Sequence, residues 1–246
     1  MRDGHLHGRE RASGQASPKA VTTAKEARST MFVGHYGVSF AAKKVAPSIP
    51  LWVLFIAVQL LDVFWAPFIL LGIEKARIVP GITASNPLDL NYMPYTHSLL
   101  AALLWSTGAF LACRMLAHRR VAQGAALVLG LAVLSHWVLD FVAHRPDLPL
   151  YDNTAKVGLG LWNLPAVAFA VEAVLLFGGM WLYLGTVSLV RTRVVVFGLL
   201  MLAIQAYVFF GPPPASDQSI AWTALGAYAV FAAVAARLER TPREVG

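Results

Sequence analysis

Apolar stretches of about twenty residues recur from Pro50 to the C-terminus, and that is the length a helix needs to cross roughly 30 Å of hydrocarbon. A chain in which 57% of 246 residues are apolar and only 13% charged exceeds what a soluble domain of this size has to bury. The sequence therefore predicts an all-α fold, a polytopic transmembrane bundle of six to seven helices. Segment 31 to 46 is a short helix of marginal length, ended by Lys43, Lys44 and Pro47. Six stronger spans follow at 50 to 72, 95 to 117, 121 to 142, 163 to 187, 194 to 210 and 219 to 237, each bounded by Pro, Gly or charge. Three regions result: a polar, basic N-terminal tail at 1 to 30, read as disordered, the membrane domain at 31 to 237, and a short tail at 238 to 246.

The formal charge of +7 sits at the ends of apolar segments. That pattern sets topology and offers no extended basic face to nucleic acid. The partner it implies is the lipid bilayer. His118, Arg119, Arg120, Arg191, Arg193, Arg237, Arg240 and Arg243 fall on one side, which the positive-inside rule makes cytoplasmic. The connections 73 to 94 and 143 to 162 then face outward. If segment 31 to 46 crosses, a tail of net charge +3 lies outside, against the rule; if it is interfacial, the tail lies inside.

Five residues stand out in the apolar part: His35, Asp62, His97, His136 and Asp140. Ionisable side chains inside spans are costly and by default face a partner or cavity. His136, Asp140 and His144 follow at i, i+4 and i+8, so they line one helix face about 6 Å apart per turn. Two such donors one turn apart can chelate a single ion, and a His and carboxylate set without thiolate suits zinc and similar divalent metals. The single cysteine, Cys113, excludes both an intramolecular disulfide and a cysteine-based zinc knuckle. Depth agrees: at 1.5 Å per residue Asp62 lies roughly 18 Å from the cytoplasmic end of its span, and His136 and Asp140 roughly 23 to 29 Å up theirs. His97 enters from the outward loop to the same level, Glu172 reaches down from span 163 to 187, and His35 joins only if its helix runs from outside inward. Arg77, Arg145 and Lys156 in the outward loops are candidates to receive an anionic group such as phosphate.

The order His35, Asp62, Tyr95-Thr96-His97-Ser98, then Ser135-His136 with Asp140, resembles the bacterial inner-membrane family of metal-dependent hydrolases. That family is similar to zinc-dependent phospholipase C and the single-strand-specific zinc nucleases, where a helical bundle carries a lone His, an Asp, another His and an HxxxD pair around a zinc cluster that activates water. The resemblance covers residues 31 to 145. It implies His35, Asp62, His97, His136 and Asp140 as metal ligands, with His144 a further one, and a location in the inner membrane. The soluble enzymes continue with a second His and acid pair, whereas here Trp162-Asn163 and Glu172 occupy that stretch, so one or two ions are expected. The reaction it implies is hydrolysis of a lipid phosphoester or lipid-linked substrate, with Glu172 or Asp140 as the carboxylate that takes the proton. Two other readings stay open: a proton- or ion-coupled transporter using the same residues as a relay, and a structural protein in which they hydrogen-bond between helices.

Overall fold

The computed structural model describes residues 33–117, 119, 121–185, 191–212 and 214–239. The N-terminal tail, His118, Arg120 and residues 240–246 lie outside the described residues. The described residues form eight α-helices: α1 Val33–Val45, α2 Leu51–Val58, α3 Leu60–Leu70, α4 Leu99–Leu116, α5 Gln123–Ala143, α6 Pro165–Leu184, α7 Arg191–Phe210 and α8 Asp217–Leu238. Strands β1 Lys75–Ile78 and β2 Leu88–Tyr92 pair antiparallel between α3 and α4. Helices α4 to α8 are each long and apolar enough to cross a membrane, and α2 with α3 makes a sixth span if the bent pair counts as one. The protein is an all-α helical membrane protein carrying one small hairpin.

One correction concerns the first spans. The expected single helix at 50 to 72 is broken at Gln59, where α2 and α3 meet at 55°. A polar side chain that engages a ladder carbonyl bends a helix, and here His136 Nδ1 sits 2.7 Å from the carbonyl oxygen of Val58. Helix α1, expected as a short helix at 31 to 46, covers 13 of the described residues, about 20 Å, and its His35, Tyr36, Gly37, Ser39 and Phe40 are all buried.

Helix α1 lies against α6 and runs in the same direction, with Gly34 opposite Glu172 and Gly37 opposite Leu175 and Gly179. Small residues let the two backbones approach closely, the usual device where lipid removes the hydrophobic drive between helices. At the other end of α1, Lys43 Nζ pairs with Glu239 at 2.6 Å, and the same carboxylate accepts from the first amide of α2, Leu51 N, at 2.5 Å. This basic end of the bundle is packed by Tyr36, Phe40, Phe55, Phe197 and Phe231 in successive ring contacts. Helix α4 is peripheral; among its residues only Ala101 and Ala102 are buried.

The opposite end is closed by the hairpin, whose Ala76, Leu88 and Leu90 pack on Trp65, Ile69, Leu148, Ile220 and Ala221. The connection 143–162 folds back on itself through paired Leu148 and Val157 and packs Leu148 against the hairpin. Hairpin strands were not expected from the sequence. Their short, mixed-polarity runs carry no sustained alternation, and pairing became favourable only once a protein surface lay beneath them.

Candidate metal centre

His35 comes from the first turn of α1, Asp62 from the first turn of α3, His97 from the residue before the Ser98 N-cap of α4, and His136 and Asp140 from α5. The break at Gln59 and the turn before α4 bring these into one layer beneath the hairpin. His35, His97, His136 and Asp140 are buried, and only the Asp62 side chain keeps partial access, at 21%.

Four donor atoms close a ring. His97 Nε2 lies 3.2 Å from Asp62 Oδ1 and 3.6 Å from Asp140 Oδ2, while His136 Nε2 lies 3.7 Å from Asp62 Oδ1 and 3.2 Å from Asp140 Oδ2. Charge-assisted hydrogen bonds between nitrogen and carboxylate are shorter, about 2.7–2.9 Å. A tetrahedral ion with bonds of about 2.0 Å instead holds its donors roughly 3.3 Å apart, and four of the six donor pairs here lie at 3.2 to 3.7 Å. The second oxygen of Asp140 turns the other way: Oδ1 lies 3.5 Å from His35 Nε2 and 3.9 Å from His144 Nε2. Among the described residues two triads, His35 with His136 and Asp140, and Asp62 with His97 and His136, each bring their three donor atoms within 4.8 Å of one another.

Three of the four histidines anchor their outer nitrogen on an oxygen. His136 Nδ1 meets the Val58 carbonyl, which can only accept, so the proton resides on Nδ1. His144 Nδ1 meets Asp147 Oδ1 at 3.1 Å. His97 Nδ1 meets Thr96 Oγ1 at 2.7 Å, and that hydroxyl donates to Glu74 Oε2 at 2.6 Å. Glu74 Oε1 also accepts from the amides of Tyr95 and Thr96, and burial raises its carboxyl above the ordinary value while these donors oppose the shift. Each of these imidazoles thus turns Nε2 inward as a lone-pair donor, the arrangement typical of metal-ligating histidine. Tyr228 of α8 donates to Asp62 Oδ2 at 2.6 Å and leaves Oδ1 for the ring.

The donor set fits a divalent cation by charge as well as by spacing. Two carboxylates held in a membrane interior demand about two positive charges, since an uncompensated buried ion costs several kcal/mol. The pocket at the cluster is small, about 40 Å³, bounded by Trp65, Leu88, Leu90, Trp162, Ile220 and Tyr228. That is room for about one water.

The remaining sequence candidates sit elsewhere. Glu172 does not join the ring; its Oε2 accepts from Gly34 N at 3.1 Å, so it acts as a cap on the first turn of α1, whose amides have no intrahelical partner. Arg77 and Arg145 both pair with Asp89, and Lys156 donates to the carbonyls of Leu90 and Asn91. Arg77 ties β1 to β2, while Arg145 and Lys156 staple the 143–162 connection to the hairpin, and none of the three lines the pocket at the cluster. An aspartate in reach of both arginines accounts for their placement without an anionic ligand.

Sequence reasoning missed Tyr228, Glu74, the Thr96 hydroxyl and the Val58 carbonyl. A tyrosine inside an apolar span and an acid just beyond one were visible signals for the first two; a backbone carbonyl leaves none. Compared with known proteins, the chain matches no family model, no curated protein and no solved structure.

Proposed function

We propose that this protein is an integral-membrane, metal-dependent hydrolase of the bacterial inner membrane, related to the metal-dependent hydrolase family it resembles in residue order. The observation that carries the reading is the closed ring of Asp62 Oδ1, His97 Nε2, His136 Nε2 and Asp140 Oδ2, with edges of 3.2 to 3.7 Å. These four residues would hold one divalent ion, zinc by the donor chemistry. Asp140 Oδ1 with His35 and His144 offers donors for a second. Such an ion supplies Lewis acidity and lowers the pKa of a coordinated water towards neutrality.

The protein's own groups do the rest. Val58, Asp147 and the Glu74–Thr96 pair fix the three ring tautomers, and Tyr228 holds the partly exposed Asp62. With one ion held by the ring, Asp140 Oδ1 is the oxygen that would take a proton, and with a second ion at His35 and His144 it would be a ligand instead; Glu172 is engaged on α1. A lipid phosphoester or lipid-linked molecule is the substrate class that reaches a site at this depth from within the bilayer.

The same His and Asp contacts also favour a proton-coupled carrier, in which imidazolium takes the place of the ion. Metal analysis separates the two. Protein purified in mild detergent should contain one to two equivalents of zinc or a similar divalent metal, and the loaded protein should release product from a panel of phospholipids and polyprenyl phosphates. Metal content at background, unchanged by His136→Ala, overturns the hydrolase reading; proton-coupled flux in metal-free vesicles establishes the carrier.

A further inference from the structure

A cavity of about 830 Å³ lies apart from the metal ligands and opens sideways between α3 and α4. Its walls are Phe68 and Ile73 on one side and Leu100, Leu104, Trp105 and Gly108 on the other. The Trp105 indole N–H is already satisfied by the Tyr95 carbonyl at 2.9 Å, and its ring stacks on Phe64, so the ring presents an apolar surface. Helix α4 is a membrane span with 11% of its residues buried, so the cavity faces the hydrocarbon. From Ser98 to Gly108 it runs along three turns of α4, roughly 15 Å of depth.

Its mouth is of opposite character. Tyr95 and Tyr151 are exposed there, and Tyr92 brings its hydroxyl within 3.5 Å of that of Tyr95. Tyrosines at this level mark the boundary between hydrocarbon and headgroups. The one charged residue of the lining is Asp152, exposed on the 143–162 connection, and among the described residues no cation pairs with it. An apolar slot with a negative, hydroxyl-rich rim is complementary to an amphiphile whose head carries an ammonium with hydrogens to donate.

We infer that the groove between α3 and α4 is a selective binding site for a bilayer lipid with a primary-amine headgroup, its acyl chain along Leu104, Trp105 and Gly108 and its ammonium at Asp152. The tyrosine hydroxyls are placed to donate to the phosphate. Because none of the metal ligands lines this groove, lipid binding is independent of the metal reading and is measured without turnover.

Native mass spectrometry of the full chain, exchanged into equimolar dioleoyl phosphatidylethanolamine, phosphatidylglycerol and phosphatidylcholine, tests it. The expected result is retention of one phosphatidylethanolamine in preference to the other two. Gly108→Trp puts a bulky ring into the groove from a position whose Cβ has no neighbour within 4 Å, and should lower occupancy about ten-fold. Asp152→Asn keeps the left-handed backbone, φ 47°, which Asn tolerates, and should erase the preference for the amine headgroup while the apolar groove stays open. Leu127→Trp on the lipid face of α5, exposed in the same way, should change neither. Equal retention of all three lipids, or a preference that survives Asp152→Asn, overturns the inference, and the Asn variant decides it even if the Trp variant fails to fold.

Discussion

His136 Nδ1 lies 2.7 Å from the carbonyl oxygen of Val58, the last residue of α2, at the point where the helix breaks. One contact therefore links the bend in the second span to the direction of a candidate ligand. With its proton on Nδ1, His136 directs Nε2 to both Asp62 and Asp140.

His136 belongs to both donor triads, so its loss should be the most severe single change. His136→Ala is expected to bring metal content to background in elemental analysis. It also leaves two carboxylates short of a counter-charge, so the variant should be destabilised by about 3–5 kcal/mol unless one of them takes up a proton. Retention of full metal content would place the ion elsewhere.

Glu74 accepts from the Thr96 hydroxyl, which in turn receives the His97 Nδ1 proton. Glu74→Gln presents an amide N–H to that hydroxyl and reverses the relay, placing the His97 proton on Nε2, where a cation would bind. Metal affinity should fall by about 10–100-fold with little change in helix content. Competition with a chelator of known affinity measures it, and Thr96→Val should reproduce the loss. Unchanged affinity in both variants would mean that His97 is not a ligand.

Glu172 separates a catalytic from a capping role. If it holds the first turn of α1 through Gly34 N, Glu172→Gln keeps an acceptor oxygen, and metal content and turnover should be preserved. Glu172→Ala should cost about 0.5–2 kcal/mol in thermal stability, the range for a lost helix cap. Loss of turnover in the Gln variant with stability intact would restore Glu172 as the proton acceptor.

The approach of α1 to α6 depends on glycine at two positions. A Cβ at Gly37 would collide with the backbone of Leu175, and one at Gly179 with the carbonyl of Gly37. Either Ala substitution should destabilise by about 1–3 kcal/mol or more and draw His35 away from Asp140, weakening metal binding at the His35, His136 and Asp140 triad. Gly178→Ala, with open space around its Cβ, should be neutral or stabilising by up to about 1 kcal/mol. Thermal unfolding in detergent compares the three.

Much of the bundle was legible from residue order. Spans at 95 to 117, 121 to 142, 163 to 187 and 219 to 237 match α4, α5, α6 and α8 to within a few residues, because segments of that length and apolarity have few other ways to satisfy their backbone in lipid. The grouping of His35, Asp62, His97, His136 and Asp140 was legible too, since costly ionisable residues at matching depth have reason to meet. The break at Gln59 was not, as it depends on His136, 78 positions along the chain, reaching Val58. The partners of Arg77, Arg145 and Lys156, which the sequence offers as candidates for an anionic group, were not legible either, because Asp89, Leu90 and Asn91 reach them only after the hairpin forms.

By itself the sequence determined the solvent, the helical class and the residues costly enough to need one another, since hydropathy and the energy of an ionisable group in hydrocarbon are local properties. The tertiary structure decided what those residues do. It assigned Asp140 two faces, made Glu172 a cap and the loop cations staples, and recruited Tyr228, Glu74 and a backbone carbonyl to aim the ring. It also opened the α3–α4 groove, whose two walls are both apolar segments and differ from any other lipid-facing surface only in standing apart. Hydrogen-bond partners and gaps between helices are set by distances across the fold, and neither composition nor periodicity along one chain records them.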